Sequence, residues 1–202
     1  MKIFCIGRNY AKHAKEMNSP IPSQPMVFMK PPTALLLYGQ SFYHPDFSDN
    51  VHFELEVVVK IKEQGKRIAA SNVWGHIGEV SLGIDFTARD LQAKLKEKGH
   101  PWEIAKSFDY SAAIGKWKPV NKASFSQIQF ELKKNGEQVQ IGETMDMIFD
   151  IEALVTYISH RFTLQRGDLI YTGTPEGVGP IDRGDVLEGF LDGESLLFCD
   201  IR

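Results

Sequence analysis

Cysteine is scarce in this sequence of 202 residues, which holds two, Cys5 and Cys199, at opposite ends of the chain. So few cannot build a disulfide framework, and no Cys/His cluster or HExxH pattern offers a zinc site. Both lie in apolar, strand-like segments, where cysteine behaves as a small buried hydrophobe, so reduced and non-catalytic thiols are expected. An excess of one charge is also missing. Lys and Arg number 23 against 26 Asp and Glu, a formal net charge of -3, and no basic block could track a phosphate backbone. Nucleic acid is therefore not an expected partner. The apolar stretch at Ile3 to Ile6 ends at Gly7 and Arg8, too short for a secretion signal and far too short to span a bilayer. A cytoplasmic protein with no membrane partner is expected. Repeats, low-complexity tracts and a Pro/Gly-rich linker are absent as well, which points to one continuous domain over residues 1–202.

What is present is ordinary globular material, 43% hydrophobic and 24% charged, enough to bury a core. Apolar and β-branched runs predict strands over residues 1–7, 26–29, 53–61 and 79–86, the third of them continuously apolar through Val57, Val58 and Val59. Residues 19–25 read as a loop. Asn135-Gly136 and Asp192-Gly193, each between strand-like runs, are the dipeptides that type I′ hairpin turns require. Three helices are expected. The first covers residues 9–17 with Asn9 as its N-cap. The second covers 87–98, opened by Thr87 and Asp90 as a capping pair and closed by Gly99. The third covers 150–162, with Ile151, Leu154, Val155 and Ile158 on one face. Strands outnumber helices and do not alternate with them as βαβ units would, so the expected fold class is α+β, mostly β.

The segment His52-Phe53-Glu54-Leu55-Glu56-Val57 is the most informative. Side chains on a strand repeat every two residues, so Glu54 and Glu56 share a face. On a solvent-facing strand such a pair is ordinary, because glutamate is mostly exposed. In a strand buried on both faces, as Val57 to Val59 suggest, the two carboxylates would repel unless a cation neutralised them, and a hard divalent ion with oxygen ligands does so. Asp85, at the end of an apolar strand and just before a helix, is either a helix-entry residue or a third oxygen ligand. His13 and Glu16 stand three apart on a short helix, where they form a surface pair or a general base held by a carboxylate. Lys106 lies in an irregular stretch and carries no signal alone. The glycine-rich turn at residues 173–179 could present backbone N–H groups to an anion, but lacks a P-loop ending.

In order along the chain, Gly7-Arg8-Asn9-Tyr10 with His13 and Glu16, Lys30-Pro31, Glu54-x-Glu56, Asp85-x-Thr87-Ala88-Arg89-Asp90 with Gln92, Lys106-Ser107-Phe108-Asp109, and residues 167–179 resemble the fumarylacetoacetate hydrolase family, in its single-domain acylpyruvate hydrolase branch. The resemblance implies a strand-rich mixed β-roll, usually a homodimer. It implies Glu54, Glu56 and Asp85 as ligands of Mg²⁺ or Mn²⁺, His13 and Glu16 as a water-activating dyad, and Lys106 as an oxyanion contact. Lys30, Arg89, Gln92 and Thr174 would hold a small 2-oxo acid substrate. The implied activity is hydrolysis of a carbon–carbon bond in acylpyruvates. The alternatives are oxaloacetate decarboxylation or tautomerisation, or isomerisation of an unsaturated 2-hydroxy dioic acid. One departure is Glu79-Val80, where relatives carry Gly-Tyr, and residues 33–40 stand where relatives carry part of a lid.

Overall fold

The chain opens with strand β1 (Ile3–Gly7), helix α1 (Ala11–Glu16) and strand β2 (Met26–Lys30), then the short strands β3 (Leu35–Leu36) and β4 (Val51–Phe53). Two long strands follow, β5 (Leu55–Ile61) and β6 (Ile77–Asp85), with helix α2 (Val73–His76) between them. Strand β7 (Thr87–Ala88) leads into helices α3 (Arg89–Lys98) and α4 (Glu103–Lys106), then β8 (Ala112–Ile114), β9 (Lys118–Pro119) and α5 (Lys122–Phe125). The rest comprises β10 (Gln129–Lys134), β11 (Glu137–Glu143), α6 (Ile151–Arg161), β12 (Leu169–Tyr171), β13 (Gly179–Pro180), β14 (Val186–Leu191) and β15 (Glu194–Asp200). These elements come from a computed structural model that describes residues 1–202. The fold is mostly β with a few short helices, as expected, and no helix is long and apolar enough to cross a membrane.

An eight-stranded sheet runs in the order β2-β1-β12-β5-β6-β8-β3, with β9 attached to β6. It is mixed: β1 pairs with β12 and β3 with β8 in parallel, the other pairs being antiparallel. Smaller sheets, β11-β10-β14-β15 and β13-β4-β7, pack around it. Both hairpins turn where the Gly-containing dipeptides stand, with Asn135, Gly136, Asp192 and Gly193 all at positive φ. β5 is buried on both faces, which is why its valines form an unbroken run. Leu55, Val57, Val59 and Ile61 enter the main core, whereas Val58 enters a smaller cluster on the opposite face with Ile3, Cys5, Leu169 and Tyr171. Glu56 shares the parity of Val58, and Asp85 that of Gly83, so both carboxylates emerge on the smaller-cluster side. Lys30 and Phe28 pair across from Ile3 and Cys5 and reach the same face.

Three local readings need correction. Asn9 does not cap α1, whose N-cap is Tyr10 with no side-chain bond. The Asn9 amide instead donates to Phe149 O and Thr172 O and accepts from Phe149 N, tying the end of β1 to distant backbone. The second helix begins at Arg89, because residues 87–88 pair with β4 as a strand and Thr87 faces inward, fully buried. The strand expected over residues 53–61 breaks at Glu54, between β4 and β5. Elsewhere the helix boundaries hold: Gly99 closes α3 in the left-handed conformation and the Asp150 carboxylate caps α6 through Ala153 N. Cys5 and Cys199 are buried free thiols.

Gly83 is the tightest point of the smaller cluster. A Cβ there would stand 2.5 Å from Tyr171 Cε1, 2.8 Å from Ala113 O and 2.8 Å from Val58 Cγ2. Tyr171 has no room to swing away, because it is fully buried and its hydroxyl donates to Ala113 O at 2.8 Å. Gly83→Ala is expected to cost about 1–3 kcal/mol, the usual price of overpacking. In thermal melts that is a fall of about 3–10 °C for a chain of this size. An unchanged melting temperature would refute the packing argument.

Candidate active site

Antiparallel register brings the three acidic groups together. Leu55 pairs with Ile84 and Glu56 with Gly83, and Asp85 N donates to Glu54 O at 2.9 Å, so Glu54 and Asp85 are cross-strand neighbours. Carboxylate oxygens from Glu54, Glu56 and Asp85 all lie within 4.8 Å of one another, and all three residues are buried. Three negative charges held so close need compensation. Lys106 supplies part of it, its Nζ donating to Glu54 Oε2 at 2.7 Å, Asp85 Oδ2 at 2.9 Å and Thr87 Oγ1 at 2.6 Å. Lys106 stands on the one-turn helix α4 rather than in an irregular stretch. Arg89 donates to Glu54 Oε1 at 2.6 Å and to Gln92 Oε1 at 2.7 Å, the i,i+3 spacing at the start of α3.

Lys30 lies behind Asp85 rather than in the cavity. Its side chain is fully buried, with Nζ 2.7 Å from Asp85 Oδ1, and its hydrogens are directed at Lys106 O, Ser111 O and Ser111 Oγ. An ammonium has three hydrogens, so Asp85 Oδ1 has a cation beside it but accepts no hydrogen bond. The same groups split the acidities. Burial alone would raise the Glu54 carboxyl, but Lys106 and Arg89 override it and hold the group well below the usual range. Glu56 goes the other way, pushed well up by burial and then by the Asp85 and Glu54 charges, against the Gly173 N–H and Lys106. For Lys106, burial is outweighed by Asp85 and Glu54, which raise its ammonium.

The glycine-rich turn does meet anions, and they are the chain's own. Gly173 N donates to Glu56 Oε2 at 2.7 Å and Gly177 N to Glu16 Oε1 at 3.0 Å. Gly173 sits at φ +100 with Asn9 Cβ only 2.7 Å from where a side chain would start, so the turn needs glycine to come this close. The other Glu16 oxygen lies 3.1 Å from His13 Nδ1, and His13 is buried. Thr174 Oγ1 accepts from Gln140 Nε2 at 2.9 Å, while Gln140 Oε1 accepts from Leu55 N.

These groups surround a cavity of about 40 Å³. His13, Glu54, Glu56, Asp85, Arg89, Gln92, Lys106 and Thr174 line it, whereas Lys30 and Glu16 stand one layer behind. Phe28, Trp102, Met17 and Lys96 also line the cavity without a signal in the sequence, and Arg8, part of the Gly7-Arg8-Asn9-Tyr10 motif, lines it with no role implied there. The parity of Phe28 with Lys30 on β2 was the available clue. Thr87, read as a cap, is a buried acceptor for Lys106. Residues 33–40 do not line the cavity, since β3 is bound into the sheet edge beside β8.

The donor set fits a hard divalent cation. All three groups offer carboxylate oxygen, Asp85 Oδ1 accepts no hydrogen bond, and the raised Glu56 carboxyl marks a place where positive charge is in demand. Glu54, Glu56 and Asp85 would hold the ion.

Comparison with known proteins gives the family. The profile of the fumarylacetoacetate (FAA) hydrolase C-terminal family matches residues 2–196. The chain is 42% identical over 192 residues to the mitochondrial oxaloacetate tautomerase of Mus musculus, covering 95% of this chain and 87% of that one. It is 42% identical over 199 residues to an oxaloacetate tautomerase of Escherichia coli, covering 96% and 90%. The fold superposes with a TM-score of 0.92 on fumarylpyruvate hydrolase from Pseudomonas aeruginosa in complex with Mn²⁺ and pyruvate, at 36% identity over 100% of this chain and 89% of that one. Matched along nearly its whole length in sequence and in fold, the chain belongs to the fumarylacetoacetate hydrolase C-terminal family.

Proposed function

We propose that this chain is a divalent-metal-dependent enzyme that acts on small 2-oxo acids by stabilising their enolates, in one catalytic domain over residues 1–202. One observation carries the reading: three buried carboxylates converge beside an imidazole–carboxylate pair and a lysine that stays charged. A bound Mg²⁺ or Mn²⁺ supplies concentrated positive charge where the 2-oxo oxygen of the substrate becomes negative. The chain's own residues do the rest. Glu16 holds His13 Nδ1, which leaves the other ring nitrogen free to take a proton inside the cavity. Lys106 offsets negative charge on a second substrate oxygen, and Arg89, Gln92 and Thr174 orient the acid. Lys30 is a positioning residue that fixes Asp85 and the α4 backbone.

Two reactions use this machinery. In acylpyruvate hydrolysis, His13 takes a proton from water, whose oxygen bonds to carbon 4. The bond between carbons 3 and 4 then breaks, its electron pair passing into the enolate of pyruvate while a carboxylic acid leaves. The His13–Glu16 dyad and the likeness to fumarylpyruvate hydrolase support this reading. In oxaloacetate tautomerisation, His13 takes the proton from carbon 3 and the oxygen at carbon 2 receives one. The likeness to oxaloacetate tautomerases supports that reading equally.

Metal-loaded protein incubated with oxaloacetate and with a panel of acylpyruvates, followed by NMR, separates them. Release of pyruvate and an acid from an acylpyruvate identifies the hydrolase. Accelerated keto–enol exchange of oxaloacetate without pyruvate identifies the tautomerase, and pyruvate from oxaloacetate identifies a decarboxylase. Inertness toward every compound defeats the enolate reading.

A further inference from the structure

Two cations at the cavity have no place in the scheme above. Arg8, at the end of β1, and Lys96, on α3, both line it. Arg89, Gln92 and Lys96 stand at i, i+3 and i+7, so one face of α3 carries all three toward the same space. Arg8 arrives differently. Its backbone lies at φ 57, in the left-handed region that arginine rarely adopts, a conformation that persists only where the surroundings impose it.

The charges do not balance within the protein. Lys106 and Arg89 are ion-paired to Glu54, and Lys30 to Asp85. Arg8 and Lys96 have no acidic partner within 4.0 Å, and no hydrogen bond from either side chain engages the chain. The Lys96 ammonium is lowered by partial burial and then by the neighbouring Arg8 and Arg89 charges, so the cations feel one another. Like charges gathered at one mouth with free donors suit an anionic ligand, and a guanidinium with an ammonium suits a carboxylate.

We infer that Arg8 and Lys96 form a subsite for a second, distal carboxylate, which makes the enzyme selective for dicarboxylic 2-oxo acids over those ending in a neutral group. The inference rests on the enolate reading, since the 2-oxo acid end must occupy the carboxylate cluster for the far end to reach the mouth. It holds for either reaction, because oxaloacetate and fumarylpyruvate both carry that second carboxylate.

Matched ligands test it by titration calorimetry on the full chain loaded with Mg²⁺ or Mn²⁺. Oxaloacetate is paired with 2-oxobutanoate, and 2-oxoglutarate with 2-oxopentanoate; each pair differs only by a methyl group in place of the distal carboxylate. Wild-type protein should bind the dicarboxylate of at least one pair about tenfold more tightly, as expected of one charge-assisted contact pair, with the preference shrinking at high salt. In Lys96→Met and Arg8→Gln that preference should fall severalfold toward unity, while affinity for the methyl-ended partner changes less than twofold. Lys96 lines the cavity but is itself exposed, so its variant carries the test even where Arg8→Gln lowers stability. Equal binding within both wild-type pairs, an undiminished preference in Lys96→Met, or equal losses for both ligands would overturn the subsite while leaving the enolate reading intact. Failure of wild type to bind any of the four overturns both.

Discussion

Glu56→Gln should leave a folded protein that no longer gains stability from Mg²⁺ or Mn²⁺ and turns over its 2-oxo acid about 10³-fold more slowly, the scale of losing a main electrostatic element. Glutamine has the same shape and its carbonyl can still accept from Gly173 N, so the backbone turn is retained. The substitution also removes a carboxyl that burial, Asp85 and Glu54 disfavour as an anion. Without metal, the variant should therefore melt no lower than wild type. The contrast comes on adding the ion. At about 100 times its dissociation constant, a ligand bound to the folded state alone contributes about 2.7 kcal/mol. For a chain of about 200 residues this raises the melting temperature by about 5–10 °C. Calorimetric melts of both proteins, with metal and with chelator, measure it; a full metal-induced rise in Glu56→Gln would remove Glu56 from the ligand set.

His13→Ala should lower turnover by about 10²–10⁴-fold, the usual contribution of a general base, with metal binding intact. The two effects separate because His13 lines the cavity but meets Glu16 rather than the acidic cluster. Glu16→Gln should give a smaller loss of the same kind, since it leaves the imidazole in place but removes the charge that holds its tautomer. Any decarboxylation of oxaloacetate should survive in His13→Ala, because loss of CO₂ generates the enolate without proton removal. Wild-type rates for hydrolysis and for keto–enol exchange in His13→Ala would eliminate the base.

Much of the site was readable before the fold. The unbroken valines imply burial on both sides, which β5 shows, and alternation predicts Glu54 and Glu56 on one face; the strand breaks at Glu54, yet the two carboxylates still converge. Helical spacing paired His13 with Glu16, and the two are in contact. The errors have a common source. Local propensity makes Asn9 and Thr87 helix caps, because such residues serve nearby backbone when nothing else competes. Here partners from far along the chain win: Phe149 and Thr172 take the Asn9 amide, and Lys106 takes the Thr87 hydroxyl. Lys30 matched a family position but sits behind the cavity, a distinction of depth that no local pattern encodes.

The sequence alone determined the main strands, both hairpins and the three longest helices, because periodicity and turn dipeptides are local properties. It also determined, through ordered motifs, the family to compare with. Only the tertiary structure decided that Asp85 lies opposite Glu54, that Lys106 and Arg89 pair with Glu54 while Glu56 has no cation paired to it, and that Arg8 and Lys96 meet at one mouth. Those relations join residues tens of positions apart, and their energies depend on distance and burial, which exist only once β5 and β6 have paired and α3 has packed across their ends.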